Sequence, residues 1–403
     1  MRHASLLRDY RSFTNETVPL LNSAGRVLAE PILADRDQPP FDRSTRDGFA
    51  VRSADFSSDT PLKLIGQVRA GEIWTGPPLV SGETVEIMTG APVPAGADAV
   101  AMIEHVSTTN GTVTASPGRT LRSGENIVLR ASEAHVGQAV VAPGTRITAA
   151  EIAEAATCGR STLSVRARPM VAIVATGDEL VGIDQQPDAR QIRNSNSYAL
   201  AAMTAAAGGT PGQLRTAQDT REDVWDRVAQ GRMWDLLLFS GGVSMGKFDL
   251  VEEVLAEFNA EFFFTGVRMQ PGKPVVFGRL PMRENATGAG PACYFFGLPG
   301  NPISTQVTFH CFVEPFLRAL SGEAIVAPRF VQATLTEDIP AKSDLMRIFP
   351  ARITPDLRMP SVKLIRWHGS GDLAANARAN CYAVLPPDRP AFHAGDVISV
   401  LLR

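Results

Sequence analysis

The sequence predicts a multi-domain protein of α/β plus β class. A central three-layer α/β domain with a mostly parallel sheet is flanked by an N-terminal β-rich region and a small C-terminal β-domain. Three observations lead there. From 168 to about 322, short apolar runs alternate with helical patterns, as βαβ units require. On either side, at 60–147 and 328–403, short strand-like runs alternate with Gly/Pro loops. Finally, Leu236-Leu237-Leu238-Phe239 stops abruptly at Ser240-Gly241-Gly242. A short unbroken apolar run suits a strand buried on both faces of a parallel sheet.

The 403 residues suffice for two to four domains, at roughly 100–200 residues each. The expected division is 1–35 with 137–167 as an N-terminal helical, linker and dimerisation part; 36–136 as a β-rich insertion; 168–322; and 323–403. With 39 basic against 42 acidic residues there is no nucleic-acid footprint. No apolar run is long enough to span a bilayer, and no secretory signal follows Met1. The four cysteines form no CxxC pair, which points to a reducing cytoplasm without structural zinc.

Taken in order, 1–30 reads as helical, with Leu6, Leu7, Tyr10 and Phe13 spaced by three and four. The stretch from Asp37 to Val51 contains Pro39-Pro40 and Asp47-Gly48 and, on composition, reads as a solvated loop. Strands are expected at 84–88 and 99–103, with 137–141 as the closing strand of the β-rich region. Thr148-Ala149-Ala150-Glu151 is a capping-box pattern before an Ala-rich helix ending at Gly159. Strands follow at 170–175, 262–267, 275–277 and 293–296. A helix follows Asn194, Thr220 caps another, Asn301 and Pro302 open a third, and Pro315 kinks it. The last part shows strands at 331–335, 382–385 and 397–401.

Three glycine-containing loops leave strand ends: 176–180, 240–246 and 298–302. In such sheets ligands bind beyond the carboxyl ends of the strands. Thr176, Gly177, Ser240, Gly241, Gly242, Ser244, Pro299, Gly300 and Asn301 offer hydroxyls, amides and backbone N–H groups suited to a phosphate or other oxyanion. A side chain at Gly242 is expected to block ligand approach. Asp178, Glu179 and Asp249 lie at the same rim, although Asp249 could equally cap a helix. Carboxylates beside a phosphate repel it unless a cation intervenes, and Mg²⁺ is the natural one, held by Asp178 and Asp249. Lys273 adds positive charge after a Pro-Gly turn. There is no GxxxxGK[ST], GxSxG or HExxH motif, and no histidine has a recognisable catalytic spacing.

Thr176-Gly177-Asp178-Glu179-Leu180, Ser240-Gly241-Gly242-Val243-Ser244, Pro271-Gly272-Lys273-Pro274 and Gly297-Leu298-Pro299-Gly300-Asn301-Pro302 together resemble the MoeA family of molybdenum cofactor proteins, which includes the E domain of gephyrin. Asp47-Gly48-Phe49-Ala50-Val51, Met88-Thr89-Gly90-Ala91-Pro92 and His368-Gly369-Ser370-Gly371 extend the resemblance over nearly the whole chain. The resemblance implies a transferase that inserts molybdate into adenylated molybdopterin with Mg²⁺-dependent release of AMP. It implies an elongated homodimer, with the site between the α/β domain of one subunit and the N-terminal β-region of the other. The finished cofactor would pass to molybdoenzymes or their chaperones. It assigns catalysis to Asp47, Glu179, Asp249 and Lys273, and adds Asp219, Arg347 and Ser370 to the substrate-binding residues above. Two positions depart from the family pattern: Gln270 replaces a lysine, and Ala131-Ser132-Glu133 replaces Gly-Glu-Asp. The rival readings are a CinA-like pyrophosphatase or amidase on the same α/β domain, and a non-catalytic pterin-binding scaffold.

Overall fold

The computed structural model of the chain describes residues 14–57, 59–242, 250–281, 292–340, 343–387 and 391–403. Three six-stranded sheets, with smaller two-stranded pairings, organise these residues.

The N-terminal part departs from the expected helix. Asn15–Pro19 is a strand paired antiparallel with Thr162–Arg166, and Leu20–Ser23 is a single 3₁₀ turn. Thr17 and Val18 are β-branched, and Pro19 removes a helical donor. A partner strand distant in sequence then decides the conformation. Leu6, Leu7, Tyr10 and Phe13 fall outside the described residues. Thr148 forms the expected capping box with Glu151 and starts the helix Ala149–Thr157. The expected closing strand is Ala139–Val141, but it pairs with Ile32–Leu33. It therefore joins the N-terminal part instead of completing the β-rich sheet.

That sheet runs in the order Ala99–Met102, Gly48–Val51, Glu83–Ile87, Leu62–Val68, Thr112–Ala115, Val106–Thr109. Gly48–Val51 is wholly buried and lies between two strands, not in a solvated loop. Phe49 and Val51 point into one apolar cluster and Ala50 into another, which is what alternation along a strand covered on both faces produces.

The central sheet has the order Thr210–Gln213, Met170–Ala175, Leu236–Ser240, Cys293–Leu298, Val276–Leu280, Glu261–Phe264. The first four are mutually parallel, and Val276–Leu280 runs antiparallel to its neighbours on both sides, Cys293–Leu298 and Glu261–Phe264. Alternate residues divide between two apolar clusters. Val171, Ile173, Leu236, Leu238 and Phe296 join Leu200, Phe309 and Phe316 from helices. Ala172, Val174, Leu237, Phe239 and Phe295 join Val224, Val228 and Val254 from others. Pro315 cannot donate to the carbonyl four residues back, and the helix widens to a π turn at Phe309–Val313 before resuming as Glu314–Leu320.

The C-terminal part closes on itself. Met346–Thr354, Ser361–Leu364, Phe330–Leu335, Val397–Leu402 and Cys381–Leu385 pair in sequence, and the last pairs again with the first. Met269–Gln270, from the chain preceding it, adds a parallel edge to Met346–Thr354.

Ion pairs tie the parts together. Glu323 lies between Arg318 and Arg146, and Arg146 also donates to the carbonyls of Gly25 (3.0 Å) and Ala207 (3.0 Å). Burial alone would raise the Glu323 carboxyl, but the Arg318 hydrogen bond and the charges of Arg318 and Arg146 outweigh it and hold it below its ordinary value. A carboxyl held low stabilises the fold above its unfolded pKa, and that contribution disappears as pH falls through the folded value. Glu323→Gln is therefore expected to lose ~2 kcal/mol at neutral pH and to show a shallower loss of stability in acid than the parent. Urea unfolding as a function of pH checks both. Parent-like stability and an unchanged acid slope would remove this network as a domain tie.

Candidate functional site

The site forms where the central strands end together. Ala175 stands opposite Ser240, and Ser240 opposite Leu298, so three loops leave the sheet at one level. They surround a hollow of about 970 Å³ lined by Thr176, Gly177, Glu179, Asp219, Ser240, Gly241, Gly242, Gly300 and Asn301. Nine of the sequence-derived residues thus meet at one place. Asp249 and Ser244 lie outside the described residues.

Asn196 fastens these loops. Its Nδ2 donates to Ser240 Oγ (2.8 Å) and to the Gly300 carbonyl (2.7 Å). Asn194 accepts from the Ser197 amide (3.1 Å) and so caps the helix Asn196–Ala207. Arg193, Asn194, Ser195 and Asn196 line the hollow, and Arg193 is the cation among its described lining residues. Sequence reasoning used this run only to start a helix. Its signal was four consecutive polar residues between a short strand and an apolar helix.

The glycine turn works differently from the expectation. Gly241 has φ +94° and Gly242 φ +65°, a left-handed region that side chains rarely adopt. A Cβ at Gly242 would stand 2.6 Å from Val251 Cγ2 and 2.8 Å from Thr176 Oγ1, so it would strike the protein itself. The Gly241 amide donates to the Leu298 carbonyl (3.1 Å) and the Gly177 amide to the Ala217 carbonyl (3.2 Å). Those two N–H groups serve the turn, and the side-chain hydroxyls and amides carry more of the polar lining. Thr176 Oγ1 is buried at this rim and unpartnered among the described residues. The Pro299 carbonyl accepts from Thr305 Oγ1 at 2.5 Å, a bond that stabilises the turn.

The acidic rim contains Asp178, Glu179 and Asp219. Asp178 accepts from the Asp219 amide (3.0 Å). Desolvation first, then the charges of Asp178 and Glu179, push the Asp219 carboxyl above its ordinary value. Mutual repulsion of this kind is relieved by a cation, and an all-oxygen donor set suits a hard one such as Mg²⁺. Among the described residues, no group of three His, Cys, Asp or Glu is arranged to hold a metal ion.

Lys273, Arg347 and Ser370 line a separate hollow of about 480 Å³, together with Gln270, Phe349 and Trp367. The edge strand Met269–Gln270 sets Gln270 opposite Arg347 and delivers the Pro271-Gly272-Lys273 turn there. The Arg347 guanidinium lies 4.4 Å from the Phe349 ring centroid. Glu133, the second departure, pairs with Arg43 at 3.1 Å on the exposed surface. Asp47 lines neither hollow. Its carboxylate accepts from the Thr89 amide (2.6 Å), which holds its pKa low. Among the described residues, no helix is long and apolar enough to cross a membrane.

Three family models match successive parts of the chain: "MoeA N-terminal region (domain I and II)" over 2–159, "Probable molybdopterin binding domain" over 172–319, and "MoeA C-terminal region (domain IV)" over 332–402. A molybdopterin molybdenumtransferase of Staphylococcus aureus is 33% identical, across 96% of this chain and 90% of that relative. One from Staphylococcus epidermidis is 30% identical, across 98% and 93%. Two solved structures of the Pyrococcus horikoshii molybdopterin biosynthesis MoeA protein resemble the fold. One has a TM-score of 0.76 at 25% identity, covering 99% of this chain and 98% of that one. The other has 0.69 at 29%, covering 97% and 95%.

Two substitutions separate the roles of the rim. Asn196→Asp keeps the shape but removes the donor and faces the Gly300 carbonyl with a carboxylate. It is expected to weaken molybdopterin binding roughly ten- to hundred-fold with little change in melting temperature. Gly242→Val is expected to destabilise the fold by ~1–3 kcal/mol. Calorimetric binding and thermal melting on the same preparations check this. Parent affinity in Asn196→Asp, or a parent melting temperature in Gly242→Val, would contradict the assignment concerned.

Proposed function

The chain belongs to the MoeA family, the molybdopterin molybdenumtransferases of molybdenum cofactor biosynthesis, and from that premise we propose how its two hollows divide the reaction. Adenylated molybdopterin occupies the larger hollow, with its phosphates among Thr176, Ser240, Asn196 and Asn301. Molybdate enters the smaller hollow, against Lys273, Arg347 and Ser370. The observation that carries this reading is the separation of charge. Carboxylates rim the larger hollow, and two side-chain cations face the smaller one without an acidic lining residue among those described. A small dianion is drawn to the second, whereas in the first Glu179 and Asp219 outnumber Arg193 and a counter-ion favours approach of a phosphoanhydride.

Asp178 and Asp249 would hold Mg²⁺, with Glu179 and Asp219 beside them. The ion would neutralise charge on the phosphoanhydride and stabilise the leaving AMP. Lys273 and Arg347 orient molybdate by charge, and the Ser370 hydroxyl adds a hydrogen bond. Asp47 reaches the reaction from a second copy of the chain in a homodimer. Its exposed, Thr89-fixed carboxylate and its distance from both hollows of its own subunit support that role. The division into 1–35 with 137–167, 36–136, 168–322 and 323–403 is supported by most strand pairings, with Met269–Gln270 pairing across the last boundary. Two apolar clusters on alternate sheet residues support the three-layer reading.

A CinA-like pyrophosphatase or amidase is not favoured, because the family matches extend over both flanking regions. A pure scaffold is not favoured, because the curated relatives carry an enzyme's name.

The test is turnover of adenylated molybdopterin with molybdate and Mg²⁺. AMP release and molybdenum incorporation are expected, with both stopped by chelation. Lys273→Met should raise the molybdate concentration needed by about ten-fold or more while leaving molybdopterin binding intact. Co-expressed Asp47→Ala and Lys273→Met subunits should regain activity in mixed dimers. Binding of the pterin without AMP release, or a Lys273→Met variant with the parent's molybdate response, would sink the division of labour. Inactive mixed dimers would sink the shared site.

A further inference from the structure

A third hollow, of about 510 Å³, lies outside both sites just described. One wall is the exposed flank of the helix Asn196–Ala207, where Ala202, Met203 and Ala206 leave room for a ligand body. Opposite stand Arg329 and Arg403 from the C-terminal part. The floor comes from the widened turn Phe309–Val313 and the helix after it, through His310 and Glu314. This composition, mostly apolar with a few converging polar groups, is typical of a small-molecule pocket.

The floor is built, not incidental. His310 is buried, and its Nδ1 is 2.8 Å from Glu314 Oε2. That contact fixes the ring, with Nδ1–H donating to the carboxylate and Nε2 left as an acceptor in the neutral imidazole. Glu314 also faces Arg329 at 3.4 Å, so its charge is already answered by the protein. Arg403 donates to the Asn376 carbonyl (3.0 Å) and has no carboxylate partner among the described residues. Among the lining side chains two guanidiniums stand against one carboxylate, and Glu314 is engaged by Arg329, which leaves the Arg403 guanidinium free to meet an anion. Favourable occupancy therefore calls for an anion, and the alanine wall calls for an apolar body attached to it.

We propose that this hollow binds a small organic monoacid, with its apolar body on Ala202, Met203 and Ala206 and its carboxylate against the Arg403 guanidinium. The site is distinct from the reaction hollow, although Leu373 lines both and forms the wall between them.

Benzoate is the probe, because it combines one aromatic ring with one carboxylate. Benzamide controls for charge and inorganic phosphate for the apolar body. On the full chain, titration followed by ligand-observed NMR should detect benzoate binding at millimolar concentration, as a fragment of this size allows. Benzamide should not bind, and phosphate should not displace benzoate at equal concentration. Ala206→Phe fills the hollow from an exposed helix position and should weaken benzoate binding about ten-fold or more without changing the melting temperature. Arg403→Gln should do the same by removing charge. No benzoate binding to the parent at tens of millimolar would overturn the proposal. Equal binding of benzamide, or parent-like benzoate binding by Ala206→Phe, would overturn it as well.

Discussion

The register of three parallel strands is the constraint on which the rest depends. Val171, Leu236 and Tyr294 lie side by side at one end of the sheet, and Ala175, Ser240 and Leu298 do so near the other. Because the strands run the same way and finish together, each chain must turn at the same edge. The turns thus gather hydroxyls and amides from positions far apart in sequence. Asn196 converts that gathering into a fixed geometry, since one amide nitrogen contacts two of the three turns. Burial of Leu236, Leu237, Leu238 and Phe239 secures the register, because a one-residue slip would exchange two well-separated apolar sets.

Electrostatics then divides the surface near this edge. Desolvation, and then the charges of Asp178 and Glu179, raise the cost of ionising Asp219. Lys273 and Arg347 sit apart from them in a different hollow. Had the cations faced the carboxylates directly, they would have neutralised them and left neither charge for a ligand. Keeping Lys273 and Arg347 apart from those carboxylates leaves the second hollow cationic among its described lining residues.

Much of this was legible in the chain. Apolar runs ending in glycine gave the central strands, and Thr148 and Thr220 marked helix starts that the structure contains. Thr176, Ser240 and Asn301 could be placed at one edge because parallel strands share a carboxyl end. What could not be read depended on distant partners. Asn15–Pro19 is a strand because Thr162–Arg166 lies beside it, and the local pattern of 1–30 carries no trace of that pairing. Gly48–Val51 looked like a loop because only four residues of strand lie within a polar stretch. The role of Asn196 was hidden because its two acceptors lie 44 and 104 residues away. At Gly242 the sequence shows the absence of a side chain, but not that a Cβ there would also strike Val251 and Thr176.

Several contacts fix the separation of the two hollows. The Ile303 amide, in the first turn of the helix that opens at Pro302, donates to the Ser370 carbonyl (2.9 Å). The loop bearing Ser370 and Gly371 is held in turn by Asp372, which accepts from the His368 amide (3.1 Å) and the Ala375 amide (2.9 Å). Beneath this loop, Ile303 and Val307 pack with Ile348, Tyr382, Val384 and Leu401 in one apolar cluster that spans the central and C-terminal parts. Gly371 faces the larger hollow and Ser370 the smaller. A rigid-body shift of the C-terminal part would therefore have to break the Ile303 hydrogen bond and expose that shared core together. Such a shift would move Arg347 and Ser370 while leaving Thr176 and Ser240 in place, so the same contacts that stabilise the domain pair also fix the two hollows relative to each other.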